Sequence, residues 1–361
     1  MSQQTARSSA TQIARDRSVA YPWEGRRDPA VDLVRGVAIV CMIIAHVRVW
    51  APVDSTLVTV ALVVVNNVAS PLFAAVMGIS AGIVLTRGSQ RLVGATFVAR
   101  NLLRGLILIG IGLLLQQLGT FVAIVLMSLG ATLVVASPLA LLPVPALAVT
   151  TVVTFAVGPW VNAAARAGLD PARVYSTAWV DQVLQWFVLS THYRVVSLLP
   201  FVLAGVLLAR HRLTVRTALI SIGVGVLAGV AVVVLRLLGH GLGVSEIVSG
   251  GVPDALLDVA LTGTALGVIV LVARWSVMRP VVTALAPVRA SGAMALTCYV
   301  LHVGLIALAQ RVGDPRAPYE HWLAYGGGIL LITVLACWVW WQAIGKGPIE
   351  RVMGLVTDRI G

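Results

Sequence analysis

Two side chains in the stretch VDLVRGVAIVCMIIAHVRVW, Val31 to Trp50, are of types that do chemistry. Arg35 carries a permanently charged guanidinium that can fork onto phosphate oxygens. His46 carries an imidazole of near-neutral intrinsic pKa that can take a proton from an attacking group or carry a transferred group itself. Eleven positions separate them. On a helix that is about 16 Å at roughly 1.5 Å per residue, and nearly the same face at roughly 100° per residue. Both are costly in hydrocarbon, where an ionisable residue is a functional candidate by default.

Further candidates lie along the chain. His302 ends the run TCYVLH, with Thr297 and Tyr299 just before it. Asn66, Asn67 and Ser70 precede the proline of PLF. Asp254, Asp258 and Thr262 recur every four residues, a polar stripe on one helix face from which Asp258 could orient an imidazole. Arg87, Arg91, Arg100, Arg104 and Arg289 join Arg35 at the ends of apolar runs, where they can bind phosphates or snorkel to lipid headgroups. Cys41, Cys298 and Cys337 sit inside apolar runs with no metal-ligand spacing and read as small buried hydrophobes. GLGVSEIVSGGVP lacks the lysine and the strand of a phosphate-binding loop.

The elements that position these residues are membrane spans. The chain of 361 residues is 59% hydrophobic and only 11% charged, whereas soluble proteins average about 25% charged residues. Runs of about 20 apolar residues predict an all-α, polytopic bundle of ten spans: 30–50, 68–86, 100–118, 120–139, 143–163, 193–210, 214–238, 254–273, 291–311 and 321–344. Segment 56–66 is too short to span alone and is expected as an outer-face helix leading into span two. Segment 176–190, STAWVDQVLQWFVLS, is expected to lie along the outer surface. Residues 1–27 are polar and Arg-rich and are expected to form a disordered cytoplasmic tail preceding one membrane domain over 28–361.

The net charge of +12 does not indicate nucleic acid, because the basic residues are spread over short loops. Lys346 is the one lysine among the 26 basic residues, and an Arg-, Ala- and Val-rich composition points to a GC-rich bacterial genome. With both termini in the cytoplasm, the loops TRGSQR, ARHRLTVR and GKGPIER fall inside and most arginines follow the positive-inside rule. That places the chain as a multi-pass protein of a bacterial inner membrane.

DLVRGVAIVCMIIAH followed by ASPLFAAVMGISAGIVLTRG resembles the start of the transmembrane acyltransferases. This superfamily includes acyltransferase-3 proteins, heparan-α-glucosaminide N-acetyltransferases and YeiB-type proteins. Arg35 and His46 reproduce the Arg-x10-His pattern of the acyltransferase-3 branch. YRVVSLLPFVLAGVLLAR, ASGAMALTCYVLHVGLIAL and GKGPIERVM resemble the other two branches and follow in order, so the likeness covers the chain from about residue 28. The departures are a missing histidine in the loop after span one, where the heparan-type enzymes have theirs, and Cys298 in place of a common Asn.

The resemblance implies transfer of an acyl group, acetyl above all, from cytoplasmic acyl-CoA to a hydroxyl or amine of an extracytoplasmic glycan, glycolipid or other cell-envelope acceptor. It implies donor contacts from Arg35, Arg104, Arg100 and Asp32, chemistry from His46 or His302 with Asn67 and Asp258, and acceptor contacts from Asn66, Ser70, Thr297 and Tyr299. No metal is implied, and a homodimer is left open. A secondary transporter would also place histidines near the midplane, but it favours inverted repeats, and span one has no counterpart in spans six or seven.

Overall fold

The computed structural model describes residues 27–51, 56–86, 94–168, 176, 178–238, 248–312, 314 and 316–360. The expected amino-terminal tail, apart from Arg27, lies outside the described residues. The chain runs α1 Pro29–Val47, α2 Thr56–Thr86, α3 Gly94–Gln116, α4 Leu126–Leu139, α5 Val144–Ala167, α6 Trp179–Leu184, α7 Val195–Arg210, α8 Val215–Leu237, α9 Val252–Arg274, α10 Arg279–Ala284, α11 Ala286–Ala293, α12 Ala295–Arg311, α13 Ala317–Glu320, α14 Trp322–Ala343 and α15 Pro348–Thr357. Among the described residues there is no strand.

Among the described residues seven helices, α1, α2, α3, α5, α8, α9 and α14, are long and apolar enough to cross a bilayer, and the bent pair α11–α12, counted as one span, makes an eighth. The apolar α4 and α7 are shorter, 14 and 16 residues. The protein is therefore an all-α polytopic bundle. In hydrocarbon each backbone N–H and C=O must be bonded within its own segment, so even the β-branched run LVTVALVVV is helical. That corrects one expectation. The helix expected at 56–66 does lead into span two, but as the first three turns of one helix, α2, which runs unbroken through Pro71 to Thr86. The surface segment at 176–190 becomes α6 and one π turn, Gln185–Leu189.

α1 and α2 form the centre. About two-thirds of the apolar window of each is buried (67%), against 22% for α3, α5, α8 and α14, whose outer faces meet lipid. Asp28 caps α1 by accepting from the Ala30 N–H at 3.0 Å, with Pro29 at the first helical position. α11 crosses α1 where two glycines meet. A Cβ on Gly36 would strike the backbone of Val288, and one on Gly292 would strike the backbone of Asp32 and Gly36. Glycine at both positions lets the helices touch backbone to backbone, the packing that small residues permit inside membranes. Gly292→Val is expected to cost about 1–3 kcal/mol by overpacking and to push α11 off α1, measured as a lower unfolding midpoint in detergent.

The chain breaks at Met294, where α12 leaves α11 at 96°. Such a break exposes helix N-terminal N–H groups, which need partners. Glu350 of α15 supplies them. Its carboxylate accepts from the N–H groups of Leu296 at 2.8 Å and Thr297 at 3.0 Å and from the Thr297 hydroxyl at 2.5 Å. A negative charge is also favourable at this end of the helix dipole. Replacing Glu350 with alanine is expected to cost about 0.5–2 kcal/mol, the range for a lost cap, again read as unfolding in detergent.

Candidate active site

At the Arg-rich end of the bundle, α1, α2, α3, α4, α12 and α15 enclose a cavity of about 270 Å³. Arg35 and Arg104 line it together with Asn101, Glu350 and Tyr299. Arg35 is held from both sides: its guanidinium donates to Ser80 Oγ at 2.6 Å and to the Gly292 carbonyl at 3.2 Å, and lies 3.7 Å from Asp32. The glycine contact between α1 and α11 is therefore also what anchors the arginine. Arg104 also lines the cavity, and its buried Nε has no hydrogen-bond partner among the described residues.

Two other residues expected near the donor stand elsewhere. Asp32 turns away from the cavity, and its carboxylate is bound bidentately by Arg27 at 2.8 and 2.9 Å. Arg100 donates to the Ile360 carbonyl at 2.9 Å and approaches Asp358 at 3.7 Å, tying α3 to the carboxyl-terminal segment. Neither lines the cavity.

The cavity ends at Tyr299, which is buried and packs edge-on against both His46 and His302, with ring centroids 6.3 and 5.0 Å away. The two imidazoles stack, 5.2 Å apart and 11° from parallel, and His46 Nδ1 lies 2.9 Å from His302 Nε2. Their protonation pattern follows from the third partner. His302 Nδ1 lies 3.3 Å from the Cys298 carbonyl, which can only accept. His302 therefore carries its proton on Nδ1 and accepts at Nε2. His46 must then donate from Nδ1, which leaves its Nε2 as a bare lone pair. That nitrogen is buried with no hydrogen-bond partner, an arrangement that costs about 1–3 kcal/mol in a core. Arg35 and His46 do share one side of α1, but Tyr299 and the histidine pair stand above the cavity and only the tyrosine lines it.

At the opposite end a second cavity, about 840 Å³, lies among the turn after α1, α2, α8, α9 and the loop before α7. Asn66, Asn67, Ser70 and Asp258 line it together, as do Arg48, His192 and Arg236. Burial, with the charges of Arg194 and Arg48, holds the His192 imidazole below its ordinary value, so the ring faces the cavity neutral. Asp254 accepts from the Gly250 N–H at 2.6 Å. Thr297 and Tyr299, expected beside these acceptor residues, lie instead at the Arg-rich end: Thr297 under Glu350 and Tyr299 on the smaller cavity. The Tyr299 hydroxyl accepts from the Val125 N–H at 3.3 Å, so its own proton is free to be donated.

Ser80, Asn101, Glu350, Arg48 and Arg236 were not picked out from the sequence. Ser80 and Glu350 do lie in stretches that carry the family resemblance, ASPLFAAVMGISAGIVLTRG and GKGPIERVM, whereas nothing in the local pattern marks Asn101. Arg48 and Arg236 did carry a signal, since both fall on the side of the bundle where topology does not need arginine.

Comparison with curated proteins finds no match. The acyltransferase-3 family model, described as an acyltransferase domain, matches residues 28–341, a range that holds the larger cavity, the histidine pair and all of the smaller cavity's lining except Glu350 and Met353. With that match over most of its length, the chain belongs to the acyltransferase-3 family of membrane acyltransferases.

Proposed function

We propose that the protein moves a short acyl group, acetyl in the first place, from cytoplasmic acyl-CoA to a hydroxyl or amine of an extracytoplasmic sugar, glycolipid or other cell-envelope acceptor. The observation that carries this reading is the bare, buried Nε2 of His46, held between an arginine-lined cavity and a polar one at opposite ends of the bundle. The positive-inside rule orients the Arg-rich end toward the cytoplasm, so the smaller cavity is the donor site of a multi-pass plasma-membrane protein, a bacterial inner membrane by composition.

CoA is a polyanion, and Arg35 and Arg104 supply guanidinium groups for its phosphates. The thioester lies toward Tyr299, whose free hydroxyl proton can stabilise the carbonyl oxygen as it gains charge. Acceptor groups reach the site from the larger cavity, past Asn66, Asn67, Ser70 and Asp258. His46 Nε2 takes the proton from the acceptor hydroxyl or amine as that atom attacks the thioester carbonyl. The carbon–sulfur bond breaks, and the departing CoA thiolate receives the proton back from His46, so acid and base balance over the cycle. His302 acts through His46, as the acceptor that fixes which nitrogen is bare.

The test is direct. Purified protein with acetyl-CoA, without and with acceptor extracts, should bind the donor and release CoA thiol. Arg35→Gln is expected to raise the donor KM about 10- to 100-fold, the worth of one or two charge-assisted hydrogen bonds, with a smaller change in kcat. Failure of the wild-type protein to bind or cleave any short acyl-CoA overturns the donor assignment.

A further inference from the structure

The larger cavity is more than a polar chamber. α9 packs against both α2 and α8, while α2 and α8 make little contact with each other. They stand as two walls over α9, and the walls are valines: Val60 and Val64 from α2, Val232 and Val233 from α8. Val60, Val64 and Val233 are 47%, 39% and 55% exposed, and on membrane-crossing helices that exposure faces acyl chains. At the mouth of this groove Arg48 and Arg236 line the cavity. Among the described residues neither is in an ion pair. Two cations with no ion-pair partner among the described residues, beside a hydrocarbon-lined slot, form a site with two kinds of surface.

We infer that this site binds an anionic amphiphile from the outer leaflet, with a phosphate-bearing headgroup at Arg48 and Arg236 and an apolar tail between α2 and α8. The role of that amphiphile as acyl acceptor rests on the transfer reading above; its binding does not. Guanidinium groups match phosphate oxygens bidentately and are worth most where water is thin. Headgroup hydroxyls would then face Asn67 of α2 and Asp258 of α9, acceptors that line the same cavity. A free, uncharged sugar would leave the two arginines unmatched and the valine slot bare. Inorganic phosphate would meet the arginines and gain nothing from the slot. Lateral access also brings the headgroup beside Arg48, two residues beyond His46 on the same chain segment.

The experiment uses the full-length protein in a neutral detergent, titrated with dioctanoyl phosphatidic acid, dioctanoylglycerol or inorganic phosphate and read by native mass spectrometry. Phosphatidic acid is expected to bind at least about tenfold more tightly than either of the others, since only it uses charge and apolar surface together. Arg48→Gln and Arg236→Gln should each weaken phosphatidic acid about tenfold, and Val233→Trp, which fills the slot, should weaken it without changing the binding of phosphate. Because Arg236 is at an exposed helix end, its variant is expected to fold even where an Arg48 variant does not. Equal binding of the neutral amphiphile, equal binding of phosphate, or no effect of either arginine overturns the inference. Acetyl-CoA binding and thiol release on the same preparations report on the transfer reading separately.

Discussion

Protein carrying His46→Gln is expected to transfer acyl groups about 10²–10⁴ times more slowly than wild type, the usual worth of a positioned general base. At about 1.36 kcal/mol per factor of ten, that is roughly 3–5 kcal/mol on the barrier. Glutamine is the informative replacement because its amide can still donate to His302 Nε2, so the pair's hydrogen bond survives while the bare nitrogen is lost. Donor binding should hold within about twofold, since Arg35 and Arg104 are untouched and a change confined to the transition state lowers kcat, not affinity. Stopped thiol release alongside an equilibrium acyl-CoA titration separates the two quantities. Undiminished release in His46→Gln would remove the imidazole from the chemistry.

The second large effect is expected at His302. Its Nε2 accepts the Nδ1 proton of His46 at 2.9 Å, and leucine there would free His46 to place its proton on Nε2, the nitrogen that must be bare. In triads of the Ser-His-Asp kind the wrong tautomer costs about 10⁴ in kcat; with no charged partner in this pair, about 10²–10³ is expected. Leucine also leaves the buried His46 ring with one N–H and no acceptor for it on either nitrogen, costing about 1–3 kcal/mol of stability. His302→Gln separates positioning from packing. Its carbonyl oxygen can accept the same proton and should restore kcat to within about tenfold of wild type. If His302→Gln and His302→Leu lose kcat equally while both retain the wild-type unfolding midpoint, the tautomer assignment fails.

Much of the frame was legible from the residues. An apolar run of span length needs no partner to declare itself, because a helix that satisfies its own backbone is the solution hydrocarbon allows. Thus α1, α3, α5, α8, α9 and α14 stand within a few residues of their expected bounds. Errors came where two structures shared one run. Residues 56–66 were separated from α2 on length alone, yet nothing in LVTVALVVVNN stops a helix. Span nine was read as one piece from 291 to 311. It breaks at Met294, so the second helix begins at Ala295 and Thr297 sits in its first turn. That one break explains why Thr297 and Tyr299 face the Arg-rich end.

The sequence by itself determined that an arginine and a histidine lie along one side of one buried helix, because helical periodicity fixes which residues of α1 share a face. It also determined that Asn66, Asn67 and Ser70 stay close to one another, since five consecutive positions allow nothing else. Only the tertiary structure decided what those side chains meet. His46 and His302 are 256 positions apart, and periodicity says nothing about which helix docks on which. The docking is set by Gly36 against Gly292, where missing side chains let two backbones touch. From that contact follow the hold on Arg35, the closeness of α12 to α1 and the nitrogen left without a proton.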